Sequence, residues 1–315
     1  MSLTGHSDLI ARLRDQGVRV VALQFPAGLK RRAGETAREL REAGFEVIIS
    51  GDPCYGACDL AMAALDHADV LVHFGHTPIG EGHPRVIYEP FRVDFDVKVL
   101  ARALPLLRAQ VVGLVTTAQH LHLVEAMKIF LEEKGVRALT APGGRGSAPG
   151  QVLGCSFSAA RVPGVAEILF VGTGSFHPLG VQLATGLRVV ALDPLVGQAR
   201  EVSAEAFLRK RMGLIARAQD ATVIGLLVST KPGQDRFQRA RDLAAASDRA
   251  FLVMMDEISP DELLNLGFGA YVNFACPRLA YDDQVRFPAP VLTPAEFEIL
   301  LGLRDFEQYE VDELV

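Results

Sequence analysis

Three stretches of the chain, residues 18–25, 111–117 and 222–229, are short and nearly continuous apolar runs rich in β-branched residues. Runs of this kind belong to strands buried on both faces of a parallel sheet. Apolar positions at helical spacing follow each: Leu29, Ala33, Ala37 and Leu40; Leu123, Met127, Phe130 and Leu131; Phe237, Ala240, Leu243 and Ala244. Gly44 and Gly135 stand where the first two helices should stop. A second apolar run comes next in every case, at 45–49, 136–139 and 250–255. The pattern predicts a β-α-β unit three times over.

In the first two units the likeness extends further. Residues 68–80, with His76-Thr77-Pro78-Ile79-Gly80, parallel residues 165–180, with His177-Pro178-Leu179-Gly180, and residues 85–90 parallel 188–194. The chain is thus expected to hold three homologous α/β domains built on parallel sheets, at 1–106, 107–218 and 219–315.

Composition narrows the class of protein. Hydrophobic residues make up 49% and charged residues 22% of the 315 residues, which suits a folded chain. Lysine and arginine number 32 against 38 aspartate and glutamate, for a net charge of −6. No basic run offsets that balance, so a nucleic-acid partner is not expected. The start, Met1-Ser2-Leu3-Thr4-Gly5-His6, has neither the basic nor the apolar segment of a secretory leader, and a cytoplasmic location with reduced thiols is expected. The uncharged stretch 168–187 contains His177, Pro178 and Gln182, so no membrane span is predicted. The acidic end, Glu307 to Glu313, reads as a solvated tail.

Four cysteines are too few for a disulfide scaffold. Each repeat carries one small-residue-Cys step, Gly56-Ala57-Cys58, Gly154-Cys155 and Ala275-Cys276, read as equivalent positions between the second strand and the third segment. Turn formers flank them and place them on loops. A pseudo-threefold, triangular packing of the domains would gather all three. A buried thiol can also be a plain core residue. As ligands, Cys58, Cys155 and Cys276 together with Cys54 would close a structural zinc site, whereas three of them on a four-iron cluster would leave one iron open. The spacing Cys54-x-x-x-Cys58 begins a radical S-adenosylmethionine signature, but Ala61 stands where its third cysteine belongs.

The segments Gly51-Asp52-Pro53-Cys54-Tyr55-Gly56-Ala57-Cys58-Asp59, Gly150-Gln151-Val152-Leu153-Gly154-Cys155 and Ala275-Cys276-Pro277-Arg278-Leu279-Ala280-Tyr281-Asp282-Asp283 resemble the diphthamide synthase family, in its archaeal form. Phe176-His177-Pro178-Leu179-Gly180, Gly233-Gln234 and Val291-Leu292-Thr293-Pro294-Ala295-Glu296 extend the likeness over nearly the whole chain. The resemblance implies a 4Fe-4S cluster held by Cys58, Cys155 and Cys276, one from each domain. It also implies S-adenosylmethionine as substrate, transfer of its 3-amino-3-carboxypropyl group to C2 of a histidine in translation elongation factor 2, and release of methylthioadenosine. A homodimer is implied too, and reduction of the cluster implies an electron donor as a further partner. No role for Cys54 follows from it.

In parallel α/β domains, ligands sit beyond the C-terminal ends of the strands. The loops expected there are 24–28, 116–119 and 229–234, which offer Gly28, Thr117, Ser229, Lys231 and Gln234 as substrate-binding candidates, with ordinary turn chemistry as the alternative. Arg278 would clamp the methionine carboxylate or pair with Asp282 or Asp283. His177, and more weakly His76, would face the same cavity as a hydrogen-bond donor or serve only in a turn. Two rival readings stay open: a quinolinate synthase-like dehydratase on an open cluster, and a non-enzymatic scaffold held by zinc on all four cysteines.

Overall fold

The computed structural model describes residues 6–231 and 233–314, so the first five residues, read above for a leader, and Pro232 of the third loop lie outside the described residues. The chain forms two compact units, Met1–Val93 and Asp94–Val315. The first contains β1 (Val20–Gln24), β2 (Glu46–Ile49), β3 (Val70–Phe74) and β4 (Val86–Glu89) in the order β2-β1-β3-β4, all parallel. The second contains two sheets. One runs β6-β5-β7-β8-β9, from β5 (Val111–Thr116), β6 (Arg137–Leu139), β7 (Glu167–Val171), β8 (Arg188–Asp193) and β9 (Gln198–Glu201), with only β9 antiparallel. The other runs β11-β10-β12-β13, from β10 (Ile224–Ser229), β11 (Ala250–Met255), β12 (Ala270–Asn273) and β13 (Val291–Leu292), all parallel.

The same order, second-first-third-fourth, thus occurs in all three sheets. In each, the central first strand is buried along almost its whole length because helices cover both faces. The first two sheets share a further device. Asp69 accepts from the amides of Arg19 and Val20 at 2.8 Å each, and Glu167 accepts from those of Arg108 and Ala109 at 2.8 and 3.0 Å. A carboxylate at the start of the third strand therefore ties down the entry to the first, and the two amides hold the Asp69 carboxyl below the usual range.

The third repeat is more complete than its sequence suggests. It too has third and fourth strands, but the fourth is two residues long, too short to show a period of two. Its second strand, β11, is an edge strand that leaves Phe251, Leu252 and Met254 exposed, which an apolar run alone does not reveal. Residues 168–187 divide into β7 and the helix Phe176–Thr185, and among the described residues no helix is long and apolar enough to cross a membrane.

One ion pair organises the third sheet. Arg211, on the helix Glu205–Ala218, donates to Glu296 through Nε at 2.7 Å and Nη2 at 2.5 Å, both side chains being almost wholly buried. Its remaining donors reach the carbonyls of Ala280 at 2.7 Å and Val291 at 2.9 Å. Glu296 in turn accepts from the Thr293 amide in a capping box that starts the helix Pro294–Leu300, and from the Tyr309 hydroxyl. Every polar atom of the pair is used, which is the condition under which a buried pair holds without large cost. Arg211→Ala is expected to destabilise the chain by about 3–5 kcal/mol, read as a lowered denaturant midpoint, because Glu296 is left charged and buried. An Arg211→Met, Glu296→Leu double variant should recover much of that loss; a single variant as stable as the parent contradicts this account.

Candidate functional site

All three loop cysteines leave the C-terminal edge of their sheet, and all four cysteines are thiols. The expectation of equivalent positions needs correction. Cys58 lies between β2 and β3 and Cys155 between β6 and β7, but Cys276 follows β12, the third strand of its sheet. In a parallel sheet every strand ends at the same edge, so a cysteine loop can leave the second or the third strand and still reach that edge.

The Cys276 loop is fixed through its main chain. Arg236 donates to the carbonyls of Phe274 (Nε, 2.8 Å), Ala275 (Nη2, 2.8 Å) and Asn273 (Nη2, 3.4 Å). The Asn273 side chain donates to the Cys276 carbonyl at 2.8 Å, and the Cys276 amide donates to Gln234 Oε1 at 3.2 Å. Cys276 is then the N-cap of the short helix Pro277–Tyr281, with proline at its first position. Arg236 is itself held by Asp312, at 2.6 and 2.9 Å.

Asp312 and Glu313 belong to the segment read as a solvated tail, and for these two that reading is overturned, whereas Glu307 and Glu310 are exposed as expected. Asp312 is 5% exposed. Glu313 accepts from the Phe157 amide at 2.6 Å and pairs with Arg161, and the Leu314 amide donates to the Cys155 carbonyl at 2.7 Å. The end of the chain is a strap that ties the Cys155 loop to the Cys276 loop. An acidic run looks alike whether solvated or paired, so only the position of its partners tells the two apart.

The same two loops meet directly. A Cβ on Gly154 would lie 3.1 Å from Arg278 Cδ and 3.3 Å from the Phe176 ring, so a side chain at the step before Cys155 would press on both and they would have to give by a few tenths of an ångström. Arg278 lies over Phe176, 4.9 Å from its centroid, and donates twice to Asp282, at 2.9 and 2.7 Å. Of the two roles weighed for Arg278, the pairing with Asp282 is the one present here; both side chains are partly exposed, so the pair is weak. His177 is partly buried and stacks parallel to Phe170, and desolvation, reinforced by Arg278, pushes its imidazole down to about 4.

Other candidates are placed as follows. Ser229 Oγ accepts from the Lys231 amide, Lys231 Nζ pairs with Glu257 at 2.7 Å, and Gln234 supports Cys276. Thr117 stands before the 3-10 helix Ala118–Leu123 without a side-chain capping bond, beside the bridge Thr116–Gln151 that leads toward Cys155. Sequence reading missed Arg236 and Arg145. Arg145 has a left-handed φ of 55°, donates to the Gly233 carbonyl at 3.0 Å, and keeps Nε buried without a hydrogen-bond partner. Neither residue carries a local motif; each acts on a loop some forty or ninety positions away.

In the first unit, Gln24 at the end of β1 plays the part that Gln234 plays for Cys276. Its Nε2 donates to the Asp59 carbonyl at 2.7 Å, and its Oε1 accepts from the Ala61 amide at 3.2 Å, which brackets the turn after Cys58. Lys30 donates to the carbonyls of Gly51 and Asp52 and holds the approach to Cys54. Gly28 lies in the 3-10 helix Ala27–Arg32, with open space where a Cβ would stand. Burial, with Asp59 nearby, pushes the Cys54 thiol up to about 12.

The donor set and its setting suit iron: three thiols on three loops, two of those loops pinned by side-chain bonds to main-chain atoms. The fold and site define a repeated α/β protein with one loop cysteine at the edge of each parallel sheet. The family model for diphthamide synthesis proteins matches residues 25–311, and the chain belongs to that family. It is 39% identical to 2-(3-amino-3-carboxypropyl)histidine synthase of Pyrococcus horikoshii, over 98% of this chain and 93% of that one. It is 31% identical to subunit 1 of the human enzyme of that name, over 94% of this chain and 70% of that one. A crystal structure of Dph2 from Pyrococcus horikoshii with a 4Fe-4S cluster superposes with a TM-score of 0.91 at 38% identity, covering 98% of this chain and 93% of that one.

Two outcomes follow from this geometry. Asp312→Ala leaves Arg236 buried without its counter-charge and should cost about 3–5 kcal/mol, seen as a lower denaturant midpoint; a change under 1 kcal/mol would mean that the strap holds nothing. The depressed pKa of His177 sets a pH dependence. The unfolded chain takes up a proton as pH falls below 6.5 that the folded chain refuses until about 4. Stability present above pH 6.5 is therefore lost on acidification, with this ring's share of the slope approaching about 1.4 kcal/mol per pH unit. His177→Gln should flatten stability against pH in that window, and an unchanged slope would show that the ring is not held neutral.

Proposed function

We infer that this chain catalyses the first step of diphthamide biosynthesis, as a 2-(3-amino-3-carboxypropyl)histidine synthase. Membership of the family over residues 25–311 carries this reading, and the pinned cysteine loops accord with it. The substrate is S-adenosylmethionine, and the acceptor we propose is a histidine of translation elongation factor 2. The bond from sulfur to the aminocarboxypropyl carbon breaks, a bond from that carbon to imidazole C2 forms, and the C2 proton leaves with methylthioadenosine as by-product. The transfer is redox-neutral overall. A 4Fe-4S group supplies reversible one-electron chemistry when bound.

Cys58, Cys155 and Cys276 would hold that group, one thiolate from each of three domains at 1–106, 107–218 and 219–315. Which carbon-sulfur bond of a sulfonium breaks depends on how the substrate is held, so orientation is the task of the remaining residues. Arg278 can exchange its exposed Asp282 partner for the substrate carboxylate at little cost, and the unspent Nε of Arg145 is a second donor for an anion. His177, kept neutral by burial, offers a hydrogen bond and no charge. Ser229, Lys231, Thr117 and Gly28 line the strand-end loops where the nucleoside would lie.

We place the enzyme in the cytoplasm, where thiols stay reduced, as a homodimer that covers the exposed Phe251, Leu252 and Met254 of β11. An electron donor completes the system. Nothing in the structure favours the dehydratase or the four-cysteine zinc scaffold.

The test is a product assay without oxygen, with reconstituted enzyme, dithionite, S-adenosylmethionine and archaeal elongation factor 2. Methylthioadenosine and an aminocarboxypropyl mass increase on the factor are expected. Cys58→Ser, Cys155→Ser and Cys276→Ser should each lose iron and product, whereas Cys54→Ala should keep its iron. Iron-loaded protein that leaves S-adenosylmethionine intact would refute the reading.

A further inference from the structure

Cys54 lies outside the ligand set just described, yet it is only 4% exposed and its sulfur sits among nitrogen donors. Its Sγ, a ring nitrogen of His73 and a ring nitrogen of His76 all lie within 4.8 Å of one another. Cys54 comes from the loop after β2, His73 is on β3, and His76 follows that strand, so the three converge at the C-terminal edge of the first sheet.

The hydrogen bonds around His73 determine its tautomer. Gln24 Nε2 donates to the Asp59 carbonyl and Gln24 Oε1 accepts from the Ala61 amide, which leaves the amide no freedom to flip. His73 Nδ1, 2.8 Å from that oxygen, must therefore carry the proton. Its Nε2 lone pair then points at His76 Nδ1, 2.9 Å away, and accepts a proton from it. A histidine whose one nitrogen donates to a fixed oxygen while the other presents a lone pair is arranged as metal-binding histidines are.

We propose that Cys54, His73 and His76 form a second metal site, which takes one zinc ion or a comparable late divalent cation in place of the proton shared by the two rings. Tetrahedral zinc sets sulfur and nitrogen donors roughly 3.3 to 3.6 Å apart, so the two ring nitrogens, 2.9 Å apart, must open by about half an ångström and the sulfur must close by up to about an ångström, and His76 is on a loop where such a shift is open to it. His76 moves its proton from Nδ1 to the outer nitrogen Nε2 and stays neutral, and the thiol releases its own proton to solvent. The ion's two charges meet one thiolate and the carboxylate of Asp59, which is buried and already acts on Cys54 electrostatically. Borderline-soft donors of this kind exclude magnesium and calcium and favour zinc. Three protein ligands leave the fourth position open. Bound there, the ion would lock the turn that carries Cys58 onto the end of β3.

This site stands or falls independently of the cluster, and the experiment separates the two. Full-length chain carrying Cys58→Ser, Cys155→Ser and Cys276→Ser is titrated anaerobically with cobalt(II), then with zinc. One cobalt per chain is expected, with a thiolate-to-cobalt charge-transfer band and the visible bands of tetrahedral cobalt, all displaced by zinc. Adding Cys54→Ser should abolish the charge-transfer band, and adding His76→Ala should weaken binding at least tenfold. If the triple variant does not fold, cluster-free parent chain serves for the titration, with Cys54→Ser as its comparison. Iron-loaded parent chain should contain one zinc in addition to its iron by elemental analysis. Absence of stoichiometric cobalt, a band that survives Cys54→Ser in the triple variant, or, in the parent chain with its other thiols present, a Cys54→Ser variant that binds as much cobalt as the parent, overturns the proposal.

Discussion

One guanidinium decides where the third cysteine can be. Arg236 gathers three successive carbonyls, those of Asn273, Phe274 and Ala275, and is held by a buried carboxylate at the far end of the chain. A loop at a strand end would otherwise have unpaired carbonyls and several conformations open to it. With them satisfied from the side, the chain turns into the helix Pro277–Tyr281 at a defined angle, and Cys276 stands at its cap. Arg211 and Glu296 do the same work one layer deeper, where the Ala280 carbonyl that Arg211 holds closes that same helix. The placement of Cys276 is a consequence of two arginines, Arg211 and Arg236, and of residues 312–314, not of the cysteine loop's own sequence.

Two sheets cooperate in the second unit because their loops are short of side chains where they touch. Gly154 admits Arg278 and Phe176 against its backbone, and Gly180 faces the Phe157 ring where a Cβ would clash outright. The helix bearing His177 thereby lies against the loop bearing Cys155. Burial then sets the electrostatics: His177 in the second unit, and His73 and His76 in the first, are all held neutral well below the usual imidazole range. The cysteine edges accordingly draw little fixed positive charge from histidine, and in the second unit Arg278 lies over Phe176 while Arg145 keeps a buried Nε without a hydrogen-bond partner.

Much was legible in the chain itself. The three β-α-β units follow from apolar runs and helical spacing, because a parallel strand buried on both faces has no choice of composition, and Cys58, Cys155 and Cys276 stand out as thiols set among turn formers. What sequence spacing could not give is the relation between elements far apart in the chain. It placed Cys276 after the second strand rather than the third, since β12 and the two-residue β13 carry too weak a pattern to count. It took Asp312 and Glu313 for solvent-facing residues, since their partners Arg236 and Arg161 lie some seventy and a hundred and fifty positions away. It left Cys54 without a role, since His73 and His76 reach it only across the sheet edge. The sequence by itself determined the repeated α/β units and the chemistry on offer, because periodicity and residue type are local properties. Tertiary structure alone decided which loops are pinned, which charges are paired and which thiol meets which imidazole, because burial and hydrogen bonding act between segments that only the folded chain brings together.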